Sequence, residues 1–364
     1  MKIAFYGSSL LSSYWNGAAT YYRGLLRDLA GRGYQVTFYE PDAFDRQKHR
    51  DIEPPDWAEV RVYPATTEAV RGVIAEAARA DVVVKASGVG VFDDVLIEGV
   101  VAASRPDAIR IFWDVDAPAT LAELRQSPDH PLHRAMPALD LVLTYGGGPP
   151  VVEAYEGFGA QRCVPIYNAL DPTTHHPVPA DARFTADLSF LGNRLPDREA
   201  RVEEFFLSPA ARLPDQRFLI GGNGWETKAM PSNVRHIGHV YTREHNAFNT
   251  SPLAVLNIAR DSMASTGFSP ATRVFEAAGA GACLITDAWV GLELFLNEGE
   301  EVLVARDGQD VAAHLRVLTP ERAKAIGEAG RARILRDHTY GLRGAQVDTI
   351  LRDEAARKAR RSVA

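Results

Sequence analysis

The chain reads as an α/β protein with two units of parallel sheet, and three features carry that reading. Apolar runs of strand length alternate with helical stretches in both halves, the pattern of a parallel sheet covered by helices. One segment breaks the alternation: residues 168–181, NALDPTTHHPVPAD, hold three prolines and no periodicity, which marks a linker. At 364 residues the chain also exceeds what one hydrophobic core ordinarily serves. The expected units are residues 1–170 and 180–335, followed by a C-terminal segment, 336–364.

In the first half, Lys2 to Tyr6 is the opening strand, ended by Gly7. A loop rich in Ser and Gly then carries Asn16 and Gly17, and a helix from about Gly17 to Arg32 stops at Gly33. Further strands are expected at Gln35 to Tyr39, Asp81 to Lys85, Ile109 to Trp113, Asp140 to Thr144 and Arg162 to Ile166. The second series comprises Leu188 to Leu191, Arg217 to Ile220, Leu253 to Ile258, Ala282 to Thr286 and Glu301 to Ala305. Helices are expected from Asp197, Pro270 and Pro320, and another from about Tyr340. Two such units are expected to border a cleft at the carboxyl ends of their strands.

Composition narrows the function. With 46% hydrophobic and 24% charged residues the chain is an ordinary globular protein. Its net charge of −7, from 40 basic and 47 acidic residues, argues against a nucleic-acid partner. The basic tail from Arg352 reads as a solvated helix end. Only Cys163 and Cys283 occur, both in apolar settings, as expected of buried thiols in a reducing cytoplasm. The opening MKIAFYGSSLL is too quickly polar for a signal peptide, and no apolar run approaches the length of a transmembrane helix.

The richest stretch is residues 267–287, GFSPATRVFEAAGAGACLITD. Ser269 before Pro270 is a helix opening, with a hydroxyl to cap free amides. Arg273 and Glu276 then share a face near the positive helix end, which suits a phosphate and a hydroxylated sugar. The plain alternative is a βαβ corner with a surface Arg–Glu pair. Glycine clusters follow two strands: Gly192-Asn193-Arg194 with Arg198, and Gly221-Gly222-Asn223-Gly224. Glycine admits close backbone approach and arginine offers a fork for diphosphate, although glycine after a strand is also simply a turn.

In the first half, Asp114 and Asp116 end a strand two residues apart and allow three readings. They are a general base or acceptor clamp, a D-x-D metal site, or a helix cap before Pro118. Asn16 and Gly17 form either an acceptor-contacting loop or a turn with a helix start. His175 and His176 are adjacent on a loop, where both cannot easily face one metal, and no metal ligands are assigned.

The runs ADLSFLGNRLPDRE, RFLIGGNGW, RHIGHVYTREHNAFNTSPLAVLNIARDSM and FSPATRVFEAAGAGACLITD, in that order, resemble the donor-binding domain of CgeB-like (spore maturation protein-like) glycosyltransferases. The resemblance spans about Ala186 to Asp348 and implies the GT-B fold, two facing Rossmann-like domains with an interdomain cleft. It implies an N-terminal acceptor domain, a C-terminal donor domain and a final helix crossing back to the first domain. Glu276 matches the glutamate that holds the nucleotide ribose, and Arg194, Arg198 and Arg273 look like cations at the diphosphate. Asn257 and Arg260 match a strand end that faces the donor in similar proteins. One departure is Phe268, where many retaining GT-B enzymes carry a second glutamate eight residues before the first.

The expected function is sugar transfer from a nucleotide-diphosphate sugar, UDP-sugar above all, to an unidentified acceptor (a glycan, small molecule, protein or cell-surface polymer). Retention is implied by the resemblance, and neither a metal nor another cofactor is expected. The alternatives are a nucleotide-sugar 2-epimerase and a non-catalytic nucleotide-sugar-binding protein.

Overall fold

A computed structural model of the chain describes residues 1–14 and 16–361. It divides into two units: residues 1–167 with the helix from Tyr340, and Asn168–Thr339.

The first unit is a parallel sheet of seven strands: β1 (Lys2–Tyr6), β2 (Gln35–Asp42), β3 (Ala58–Pro64), β4 (Val82–Ala86), β5 (Ile109–Asp114), β6 (Leu141–Thr144) and β7 (Cys163–Pro165). Their order is β3-β2-β1-β4-β5-β6-β7, with Ile3 registered against both Val36 and Val82. The second unit has six: β8 (Leu188–Leu191), β9 (Phe218–Gly221), β10 (Val234–His236), β11 (Ala254–Asn257), β12 (Leu284–Asp287) and β13 (Leu303–Ala305). These run β10-β9-β8-β11-β12-β13, also all parallel. Each sheet is therefore wound outward in both directions from its first strand, the Rossmann-like arrangement. The reversal points lie between β1 and β4 and between β8 and β11. In such sheets the carboxyl ends at the reversal form the natural ligand crevice.

Burial explains the strand pattern. β4, β8, β11 and β12 are buried along their whole length, because helices cover both faces. Two strands absent from the sequence reading, β3 and β10, are the outermost strands of their sheets. β3 (AEVRVYP) alternates between exposed and more buried positions, and its charged residues weaken the apolar signal while protecting a sheet edge.

The C-terminal helix Tyr340–Arg361 packs on the first helix, Ala19–Gly31. Gly24 lies under the Tyr340 ring and Gly344 against Asp28, so close that an added Cβ would sit 2.2 and 1.9 Å from those side chains. Tyr34 donates to Asp348 at 2.7 Å, and Lys358 donates to Asp140 at 2.6 Å. Arg357 pairs with Glu354, so part of the basic tail is engaged within this unit.

Much of the proline-rich stretch expected as a linker folds onto the second unit. Asn168, Leu170, Asp171 and His175 are buried there. The Leu170 amide donates to the His338 carbonyl at 2.8 Å, and its side chain fills the space left by the missing side chain of Gly279. No helix among the described residues is long and apolar enough to cross a membrane.

Candidate functional site

In the second unit glycine turns follow β8 and β9 near the β8–β11 reversal. Gly192 ends β8, and Gly222 follows β9 with φ +122°, a conformation that favours glycine. An added Cβ on Gly222 would lie 2.2 Å from the Gly192 carbonyl, so the two turns pack backbone on backbone. Asn193 holds them together: its side-chain oxygen accepts from the Asn223 amide at 3.0 Å. The Trp225 indole fixes the same corner by donating to the Gly192 carbonyl at 2.7 Å.

Arg198, on the helix Pro196–Val202, lies over this corner. It donates to the Asn193 carbonyl at 2.7 Å and rests 5.5 Å from the centre of the Phe190 ring. Among the described residues it forms no ion pair and its buried Nε has no hydrogen-bond partner; loss of solvent lowers its pKa, and Asp197 opposes that shift.

Arg273 is the second such cation. It retains some exposed surface, yet it is hemmed in closely enough that desolvation, with a contribution from Arg198, lowers its pKa to about 10. Glu276 opposes that shift, and the guanidinium remains charged at neutral pH. Among the described residues it has no hydrogen bond and no ion pair. The Glu276 carboxylate likewise accepts no hydrogen bond from a described residue, and its oxygen lies 3.7 Å from His175 Nε2. Two crowded arginines with no ion pair among the described residues suit an anion.

The helix carrying Arg273 and Glu276 corrects the sequence reading. It spans Thr272–Gly279, and its N-cap position is Ala271 with no side-chain capping bond. Ser269 is not the cap, because its hydroxyl donates back to the Gly267 carbonyl at 2.9 Å. No side chain caps the positive end of this helix, whose free amides suit an anion. Phe268 adopts φ +49° and packs its ring on Gly291, whose missing side chain makes room for it.

Two further assignments move, and a third holds. Arg194 turns to Glu199, with bonds of 2.8 and 2.6 Å that, with Lys228, hold the Glu199 carboxyl down at about 2. It belongs to a surface ion network rather than to the arginine pair. Asn257 is buried and donates to Thr286 at 3.0 Å, tying β11 to β12, so its amide is structural. Arg260 stays at the strand ends, donates to Asp197 at 2.6 Å and adds positive potential at Arg198.

In the first unit the aspartates separate. Asp114 is wholly buried and accepts from Ser87 (2.7 Å), Thr120 (3.0 Å), Tyr155 (2.5 Å) and the Asp116 amide (2.9 Å). Burial raises its pKa despite those bonds. With four donors in place its oxygens have no room for substrate or metal, so Asp114 is a scaffold residue. Asp116 is partly exposed and stands at the N-cap position of Ala117–Gln126 without making a capping bond. Asp114→Ala should therefore lower stability by about 3 kcal/mol through stranded buried donors, whereas Asp114→Asn, which keeps one acceptor oxygen, should lower it less. Paired thermal melts of the two variants check this.

Asn16 is also structural. It is buried, its amide donates to Ser9 and Ser12 carbonyls at 2.9 and 3.0 Å, and its oxygen accepts from Ser8 at 2.9 Å. Those bonds shape the loop after β1, whereas Gly17 is exposed with open space beside its Cα. The two cysteines are buried and free, with burial pushing both thiols up to about 12.

The sequence reading missed a cluster around Glu276. His175, His245 and Glu276 bring one donor atom each to within 4.8 Å of one another. The partners lie far apart in the chain, and Asn246 brings them together: it accepts from the His176 amide at 3.2 Å and donates to the Thr174 carbonyl at 2.9 Å. Burial lowers the pKa of His245.

Residues 198–350 match a family model described as glycosyl transferase-like. The chain is similar over nearly its whole length to solved structures of low sequence identity. Anabaena HepE in complex with UDP and glucose is 14% identical with a TM-score of 0.68, covering 97% of this chain and 100% of that one. Sucrose-phosphate synthase from Thermosynechococcus elongatus is 14% identical with a TM-score of 0.69, covering 98% and 99%. The T4 phage BGT in complex with its UDP-glucose substrate is 10% identical with a TM-score of 0.61, again covering 98% and 99%. No curated protein matches the sequence. The fold is GT-B, and the second unit carries a glycosyl transferase-like sequence.

Proposed function

We propose that this protein is a glycosyltransferase that moves a sugar from a UDP-sugar to an acceptor, and that its second unit holds the donor. The observation that carries this reading is that Arg198 and Arg273, close enough for one to shift the other, are both desolvated and form no ion pair among the described residues, with Arg273 on a helix whose N-terminus has no side-chain cap. Diphosphate is the ligand that such a group of donors suits. Glu276, whose carboxylate accepts no bond within the described residues, takes the ribose hydroxyls. Fold neighbours solved with UDP or UDP-glucose agree with this choice of ligand. The four sequence runs support placing the chain in the CgeB-like subgroup, and the two unreactive thiols fit a reducing cytoplasm.

In this mechanism Arg198 and Arg273 stabilise the charge that develops on the departing diphosphate, the role a metal plays elsewhere. Asp116 is the candidate contact for the acceptor hydroxyl, and transfer with retention follows from the resemblance. Turnover of a panel of UDP-sugars in excess EDTA tests the proposal. Slow release of UDP that EDTA does not suppress is the expected result. An epimerised donor would identify a 2-epimerase, and no turnover of any donor would identify a binding protein. Activity lost to EDTA and restored by Mn²⁺ would contradict the metal-free mechanism.

A further inference from the structure

We propose that His175, His245 and Glu276 form a binding site for a transition-metal dication of the Zn²⁺ type, filled when the donor is absent. The site lies wholly within the second unit, and only its consequence for catalysis rests on the donor reading above.

The donor set is two imidazole nitrogens and one carboxylate oxygen, which suits Zn²⁺ or Co²⁺ and disfavours Mg²⁺. Zinc bonds of about 2.0–2.2 Å place tetrahedral ligand atoms about 3.3 Å apart. His175 Nε2 and Glu276 Oε1, at 3.7 Å, are already near that spacing. The separation is too long for a hydrogen bond, and an ion pair spans it only when His175 is protonated. No pair in the cluster exceeds 4.8 Å, and His245 and Glu276 are both partly exposed, which leaves room for the remaining contraction.

The second nitrogen of each ring is also held. His245 Nε2 lies 3.3 Å from the Val240 carbonyl, which can only accept, so the proton sits there and Nδ1 keeps its lone pair. His175 Nδ1 lies 3.0 Å from the Thr174 hydroxyl, and a proton on that nitrogen leaves Nε2 as the ligand. Such outer contacts orient metal-binding histidines. The fourth position is open to water. Arg273, three residues from Glu276, opposes a cation, so micromolar rather than nanomolar affinity is expected.

The consequence is competition. Glu276 cannot hold a metal and the ribose together, so Zn²⁺ would inhibit a reaction that needs no metal.

The test is calorimetric titration of Zn²⁺ into the EDTA-treated, dialysed full chain, with Co²⁺ added separately to read ligand geometry from its visible absorption. One Zn²⁺ per chain is expected, weakened at least about tenfold by His175→Ala and by His245→Ala. His245→Gln replaces the second variant if alanine prevents folding. Zn²⁺ affinity unchanged in both histidine variants, or no heat and no Co²⁺ spectrum at millimolar metal, would overturn the site. Excess UDP is expected to displace the metal. Histidine-dependent Zn²⁺ binding that UDP does not disturb would uphold the site and count against the ribose role of Glu276 instead.

Discussion

Glu276→Ala should weaken UDP binding at least about tenfold while the protein stays folded. The carboxylate gives no hydrogen bond partner to any described residue, so its removal strands no buried donor of the protein. The loss falls on the ligand: two ribose hydroxyls forfeit a charged acceptor, worth about 1.5–3 kcal/mol. Calorimetry with UDP measures it, and a melting curve separates it from unfolding. Unchanged affinity in a folded variant would remove Glu276 from the donor site.

Arg273→Met is expected to move stability and binding in opposite directions. In the free protein Arg273 is a crowded cation without an ion pair among the described residues; desolvation lowers its pKa, Glu276 opposes that shift and Arg198 adds to it. Replacing such a group by an apolar side chain of similar length relieves desolvation and repulsion. A gain of about 1 kcal/mol would raise the melting temperature by roughly 2–4 °C for a unit of this size. UDP should meanwhile lose about 1.5–3 kcal/mol of binding, because a charged hydrogen-bond donor to its diphosphate is gone. Uridine, which carries no phosphate, should bind the variant and the parent alike. Arg198→Met should show the same selectivity against UDP. An equal loss for both ligands would place these arginines at the base or in the framework.

The contrast between what the sequence disclosed and what it hid has a physical pattern. Strands buried on both faces, such as VVVKA in β4 and LITD in β12, stand out because every position is sealed by a helix. The edge strands β3 and β10 escape notice because half their positions meet solvent or charge. Local chemistry was legible where one helix turn supplies it, as with Arg273 and Glu276 three residues apart. It was not legible where tertiary contacts decide. Asp114 looks like a strand-end catalyst until Ser87, Thr120 and Tyr155 close over it, and Asn16 looks like a ligand contact until Ser8, Ser9 and Ser12 use all its groups. His175 and His245 are separated by many elements of chain, and no spacing rule could join them. The adjacent His176 is not part of the cluster, and its amide anchors the loop to Asn246.

The central claim is that the second unit holds a nucleoside diphosphate through the Arg198–Arg273 pair. It is tested most directly by titrating UDP and uridine, side by side, into the unmodified protein in a calorimeter. UDP should bind one per chain and at least about a hundredfold more tightly than uridine, since two charge-assisted contacts at about 1.5–3 kcal/mol each separate the two ligands. Equal affinities, or no UDP binding at millimolar concentration, would contradict the account.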